Sequence, residues 1–316
     1  MINEPIEQHE QFKRAITLME QTHQSVFLTG KAGTGKSTLL SYFMKHTKKN
    51  VVVLAPTGVA ALNVQGDTIH SFFKFMPNMS IEKAKKKGAK ETKNELYTLL
   101  TTIIIDEVSM VRADLMDCVD QFLKAARKNK EPFGGVQMVF IGDLYQLPPI
   151  VMRDEQDFFA EFYQSPWFFH SKAVVDERFY MELVELDKIY RQSDDTFIDL
   201  LNAIRVNSVT DRQIDAINAR VLSTGSQDMD SIYLTSTNQL AADINDARLA
   251  QLKTPSQRFT STIKGNFDMK QYPTDQMLLL KVGAQVMFAN NDMDGQWVNG
   301  TVGQVTEILP SAVIVK

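Results

Sequence analysis

The chain has 316 residues, 44% apolar and 23% charged, close to globular averages and long enough for two buried cores. A formal net charge of −4 excludes a protein that coats nucleic acid by bulk charge, while leaving room for a local basic groove. The single Cys118 excludes an internal disulfide framework and a cysteine-rich zinc site, and no apolar run is long enough to span a bilayer, so a cytoplasmic protein without membrane contact is expected.

Residues 8–21 place Phe12, Ala15, Ile16 and Met19 at helical spacing. Gln11 lies early in that segment, and its amide, donor and acceptor in one group, suits the edge of an adenine; a solvated helix glutamine is the plainer alternative. Val26-Phe27-Leu28 then reads as a short buried strand, and residues 37–46, with Leu39, Leu40, Phe43 and Met44 apolar, as a helix. Between them Gly30-Lys31-Ala32-Gly33-Thr34-Gly35-Lys36-Ser37 fits the phosphate-binding pattern of glycine, four residues, then glycine-lysine-serine. Glycines let backbone N–H groups close around a phosphate at a helix N-terminus, Lys36 adds a cation for the β- and γ-phosphates, and Ser37 a hydroxyl for magnesium. A nucleoside triphosphate is the expected ligand.

Val51-Val52-Val53-Leu54 is apolar on both faces, as in a buried parallel strand, and leads into Ala55-Pro56-Thr57-Gly58. Asn63, Thr68, His70 and Ser71 follow, with Phe72, Phe73 and Phe75. Small polar groups at a strand's carboxyl end can bond phosphates and aromatics there can stack on bases, although for each phenylalanine core packing is favoured, and His70 has no second metal ligand at suitable spacing. The basic cluster at residues 83–90 reads first as a solvated face, with phosphate contact as the lesser alternative, before a helix over 91–100.

Ile103-Ile104-Ile105 is a buried strand ending in Asp106 and Glu107, one carboxylate for the magnesium shell and one to polarise an attacking water. A further strand at 136–141 leads into Gly142-Asp143-Leu144-Tyr145-Gln146-Leu147-Pro148-Pro149, a stiff loop able to hold Gln146 over the terminal phosphate. Residues 158–169 read as a packed aromatic helix and loop. A strand at 181–186 is expected to open a second domain, followed by Tyr190-Arg191-Gln192, helices at 196–205 and 211–221, a strand at 231–234, the polar Thr235-Ser236-Thr237-Asn238 and a helix at 239–252. Beyond Phe259 short alternating strands at 277–280, 284–288 and 301–308 are separated by turn residues.

Taken in order, these segments resemble a superfamily 1 DNA helicase of the petite-integration-frequency type, a relative of RecD. Residues 30–37 correspond to its motif I, 55–72 to motif Ia, Asp106-Glu107-Val108-Ser109-Met110 to motif II, 142–149 to motif III and Tyr190-Arg191-Gln192 to motif IV, while Phe133-Gly134-Gly135 resembles part of that family's own signature. The resemblance implies an α/β fold: a P-loop RecA-like parallel-sheet domain over residues 1–180, with a small DNA-contacting insertion near 64–80. A second, incomplete RecA-like domain would span 181–316, with a small β-rich C-terminal portion.

The same resemblance makes Gln11 the adenine reader and Gly33, Thr34, Gly35, Lys36, Ser37 and Thr38 the ATP contacts. Ser37 and Asp106 would hold magnesium, Glu107 would be the catalytic base, Gln146 the γ-phosphate sensor and Arg191 an arginine finger. Thr57, Gly58, Asn63, His70, Ser71 and Phe72 would face single-stranded DNA, with Thr235 and Asn238 as weaker candidates. Implied activity is 5′ to 3′ translocation by a monomer coupled to ATP hydrolysis. The family's last two motifs, one carrying a second arginine finger, have no match before Lys316, so a fragment that hydrolyses ATP poorly and unwinds weakly or not at all is expected; a non-hydrolysing, ATP-switched DNA-binding module is the alternative.

Overall fold

Consecutive apolar residues in a strand must feed two cores, because successive side chains point to opposite faces. Val26, Leu28, Ile104, Val139 and Ile141 join one cluster with Phe12, Ala15, Met19, Leu39, Leu40 and Phe43. Phe27, Ile103, Ile105, Met138 and Phe140 join another with Met116, Val119, Phe122, Phe133 and Phe168. A sheet layered between helices is the result. The structure is a computed structural model and describes residues 9–76, 78–190, 194–221, 231–263, 274–289, 292, 296–297 and 300–316.

In chain order the elements of the first part are α1 (Glu10–Gln21), β1 (Ser25–Gly30), α2 (Lys36–His46), β2 (Val51–Ala55), α3 (Gly58–Asn63), β3 (Asp67–Thr68), α4 (Ile69–Phe72), α5 (Ile81–Gly88) and α6 (Glu95–Thr98). Then come β4 (Thr102–Ile105), α7 (Ala113–Arg127), β5 (Gln137–Ile141), α8 (Gln156–Phe162), β6 (Met181–Leu186), α9 (Asp195–Arg205) and α10 (Asp211–Asn218). The six strands form one sheet in the order β3-β2-β4-β5-β1-β6, every neighbour parallel. Leu28 pairs with Ile141, and Ile105 with both Leu54 and Phe140, so the loops leaving β1, β2, β4 and β5 emerge side by side at the carboxyl edge.

At the opposite edge Gln137, 1% exposed, ties the layers together. Its Oε1 accepts from Lys49 Nζ and Thr102 Oγ1, and its Nε2 donates to the carbonyls of Leu18 and Gln24.

Backbone contacts divide the chain into two units, Met1–Ala219 and Arg220–Lys316. The strand expected to open a second domain is instead the edge strand of the first sheet: β6 pairs with all six residues of β1 and buries Val184 and Leu186 beneath α1. The second unit contains α11 (Asn238–Gln251), the antiparallel pair β7 (Ser256–Thr260) and β8 (Met277–Lys281), and the antiparallel trio β9 (Gln285–Met287), β10 (Val302–Ile308) and β11 (Val313–Val315). Residues 231–234, expected as a strand, are not in one, and Leu234 is 97% exposed. An apolar run becomes a parallel strand only beside neighbours, and the described strands of this unit pair antiparallel with one another. The helix expected over 91–100 contracts to the single turn α6. Among the described residues no helix is long and apolar enough to cross a membrane.

Candidate functional site

The loop between β1 and α2 is fixed by backbone contacts. Gly35 caps α2 in the left-handed region, φ 90°, where a side chain is strained, and a Cβ on Gly30 would lie 2.5 Å from the Leu186 carbonyl. Thr34, 2% exposed, turns its Oγ1 back to the Lys31 carbonyl at 2.9 Å, so its hydroxyl tightens the loop instead of pointing outward. Ser37 and Thr38 are exposed in the first turn of α2, where backbone N–H groups lack intrahelical partners. Lys36 Nζ donates to the carbonyls of Gly30 (2.6 Å) and Lys31 (3.1 Å). Burial lowers its pKa, against the opposing pull of the Asp143, Glu107 and Asp106 carboxylates, which keep the cation in place.

Asp106 begins where β4 ends, its N–H bonded to the Leu54 carbonyl at 2.8 Å. Burial raises its pKa to about 6, with the Glu107 N–H and Lys36 pulling down and the Glu107 carboxylate pushing up. Glu107 itself stands at φ 50°, ψ 40°, a left-handed conformation uncommon outside glycine, asparagine and aspartate. The short turn that follows meets the loop after β5: a Cβ on Gly142 would lie 3.1 Å from Val108 Cγ1, and the Gly142 N–H bonds the Leu28 carbonyl at 3.1 Å. Lys36, Asp106, Glu107 and Gln146 therefore come from loops of neighbouring strands.

Asp143, 1% exposed, organises that last loop. Its Oδ1 accepts from Tyr145 N–H (3.1 Å) and its Oδ2 from Gln146 Nε2 (3.2 Å). Arg205, at the end of α9, closes on it as a two-point fork, Nε to Oδ2 at 2.9 Å and Nη2 to Oδ1 at 2.8 Å. Burial alone would raise the Asp143 pKa; the Arg205, Tyr145 and Gln146 bonds overcome it and hold the carboxyl below the usual range. Neither Asp143 nor Arg205 has a role in the sequence reading, since 62 residues separate them and only folding brings them together.

Tyr190 was legible only as part of a motif. Its N–H bonds the Gly33 carbonyl at 2.8 Å, and its ring lies 3.6 Å from where a Cβ on Gly35 would stand. Arg191, the expected arginine finger, lies outside the described residues. Gln11, in α1, has its Oε1 buried without a partner among the described residues, on a helix that packs against β1, β6 and α2.

The expected DNA-facing residues separate into groups. Asn63 and Ser71 are exposed, Gly58 opens α3, and His70 is half-buried with its pKa lowered by burial. Thr57 is committed to capping α3, its Oγ1 accepting from the Ala60 N–H at 3.2 Å. Phe72 is 8% exposed and packs edge-on against Phe73 (4.9 Å) and Tyr97 (5.5 Å) within the apolar core. Thr235 and Asn238 lie in the second unit at the start of α11, Thr235 Oγ1 donating to the Thr237 carbonyl.

Comparison with known proteins places this geometry. Residues 3–215 match the family model described as PIF1-like helicase. ATP-dependent DNA helicase RRM3 of Saccharomyces cerevisiae is 29% identical over 96% of this chain and 43% of its own length. ATP-dependent DNA helicase Pif1 of Bdellovibrio bacteriovorus is 32% identical over 93% of this chain and 66% of its own. A crystal structure of Pif1 helicase from Bacteroides in complex with ADP-AlF3 and single-stranded DNA superposes with a TM-score of 0.81 at 34% identity, covering 97% of this chain and 71% of that one. The chain thus spans between about two fifths and two thirds of these two relatives. With a family model covering most of its length and a RecA-like fold shared at 34% identity, the chain belongs to the PIF1-like helicase family.

Proposed function

We propose that this chain carries the nucleotide site of an ATP-dependent DNA helicase that moves 5′ to 3′ along single-stranded DNA. One observation carries the reading: Lys36, Asp106, Glu107 and Gln146 come from loops at one carboxyl edge, the Gln146 loop lying between the phosphate loop and Glu107, which is held in a strained backbone conformation.

ATP fits the residues present. The α2 N-terminus and Lys36 receive the phosphates, and the buried Gln11 Oε1, without a partner among the described residues, is an acceptor for an exocyclic amine such as that of adenine. Magnesium would be held by Ser37 and Asp106 together with phosphate oxygens, a carboxylate-plus-phosphate arrangement typical of this ion, and would neutralise charge on the transferred phosphoryl group. Glu107 accepts a proton from the attacking water, Gln146 orients that water against the γ-phosphate, and Arg191 supplies the arginine finger. Single-stranded DNA meets this edge over Gly58, Asn63, His70 and Ser71, with Thr57 acting through the α3 cap; Thr235 and Asn238 are candidate DNA contacts of the second unit by itself. The protein works as a cytoplasmic monomer.

Glu107→Gln tests the assignment in a single-turnover assay with ATP, magnesium and single-stranded DNA. The variant keeps ATP affinity within a few fold and loses turnover by at least about a hundredfold. Turnover equal to the parent removes Glu107 from the role of base. A parent that binds ATP and DNA without any turnover favours an ATP-switched binding module.

A further inference from the structure

Resting on that reading of the site, we infer that Arg205 is a positioning residue for ATP turnover: through Asp143 it sets the orientation of Gln146 toward the γ-phosphate, and so makes that loop sensitive to the placement of α9.

The argument begins with Asp143, which has both oxygens committed and 1% of its surface exposed. Its Oδ2 takes one hydrogen of Gln146 Nε2, which fixes the carboxamide flip. Among the described residues this leaves the other N–H of Gln146 as a donor for a phosphate oxygen and its Oε1 as an acceptor for a water. That is the pair of contacts needed to line a water up with a phosphate.

Arg205 maintains this arrangement in two ways. Its fork engages both Asp143 oxygens, at 2.8 and 2.9 Å, which a point cation such as lysine cannot reproduce. Its guanidinium also lies 4.2 Å from the centre of the Tyr145 ring, holding the loop one residue before Gln146. Electrostatics add a reason for the pair. Without Arg205, the buried Asp143 carboxylate would lose its charged partner and with it the fixed orientation that holds Gln146 Nε2.

The connection also has a direction. The segment after β6 touches the phosphate loop at Tyr190, whose N–H bonds Gly33, and reaches the Gln146 loop at Arg205. A shift of α9 therefore acts on the loop that carries Gln146 through the Asp143 fork.

The test compares binding of ADP with binding of ADP plus aluminium fluoride, a mimic of the transferring phosphoryl group, in the parent, Arg205→Ala, Arg205→Lys and the double variant Asp143→Asn/Arg205→Gln. The parent is expected to prefer the mimic by about a hundredfold or more. Arg205→Ala should lose most of that preference while ADP affinity stays within about threefold, and Arg205→Lys should recover only part of it. The double variant leaves no unpaired buried charge, so it tests the idea even if Arg205→Ala fails to fold; it should lose most of the preference while keeping ADP affinity within about threefold. A folded variant lacking Arg205 that keeps the parent's preference overturns the inference, as does equal weakening of both ligands or a parent with no preference. A parent that does not bind ADP overturns the nucleotide-site reading itself.

Discussion

At the scale of single residues, Glu107 shows how chemistry and backbone conflict. Holding a non-glycine residue at φ 50° costs on the order of 1–2 kcal/mol, and its charge also pushes up the pKa of Asp106. Glu107→Gly should therefore unfold at equal or higher urea concentration, gaining up to about 1 kcal/mol, while losing turnover. A clear loss of stability would show that the conformation is not strained. Phe72 illustrates the opposite case. A phenylalanine after a strand's carboxyl end can serve base stacking or the core, and sequence alone does not separate them; its contacts with Phe73 and Tyr97 favour the core. Phe72→Leu should cost less than about 1.5 kcal/mol and leave single-stranded DNA affinity within about twofold, whereas a tenfold loss of affinity would return the ring to the DNA.

At the scale of elements, the parallel strands were legible because Val51-Val52-Val53-Leu54 and Ile103-Ile104-Ile105 are apolar at consecutive positions, which burial on two faces demands. Residues 231–234 show the same pattern but form no strand, because a ladder also depends on what lies alongside, information no local window holds. The helix starts are local as well: Thr57→Ala removes the α3 cap and should cost about 1 kcal/mol by urea unfolding. The tie between α9 and the loop after β5 was not legible, because an ion pair across 62 residues leaves no spacing signal. Removing Arg205 strands a buried carboxylate, so Arg205→Ala should cost about 3–5 kcal/mol at pH 7. The sign of the pH effect follows from the lowered Asp143 pKa. Its contribution is full above the unfolded value of about 3.9 and disappears as pH falls through the lower folded value, so the deficit of Arg205→Ala should shrink between pH 7 and pH 3. A deficit of constant size would mean the pair is not what Arg205 supports.

At the scale of the molecule, the order of the sheet decides where function sits. With β1 inserted between β5 and β6, and β4 between β2 and β5, the phosphate loop, the Asp106-Glu107 pair, the Gln146 loop and the α3 start all share one edge. Sequence motifs supplied the contents of that edge, and strand order supplied their adjacency. DNA crossing it should release counterions, so the affinity of this chain for an oligothymidylate should fall as salt rises; a salt-independent complex would argue against phosphate contacts there. The site assignment is tested most directly by titrating ATP with magnesium into the parent chain and into Lys36→Ala by calorimetry. The assignment predicts one ATP bound per parent chain and binding lost, or weakened at least about a hundredfold, in Lys36→Ala. Equal binding by both chains, or none by the parent, contradicts it.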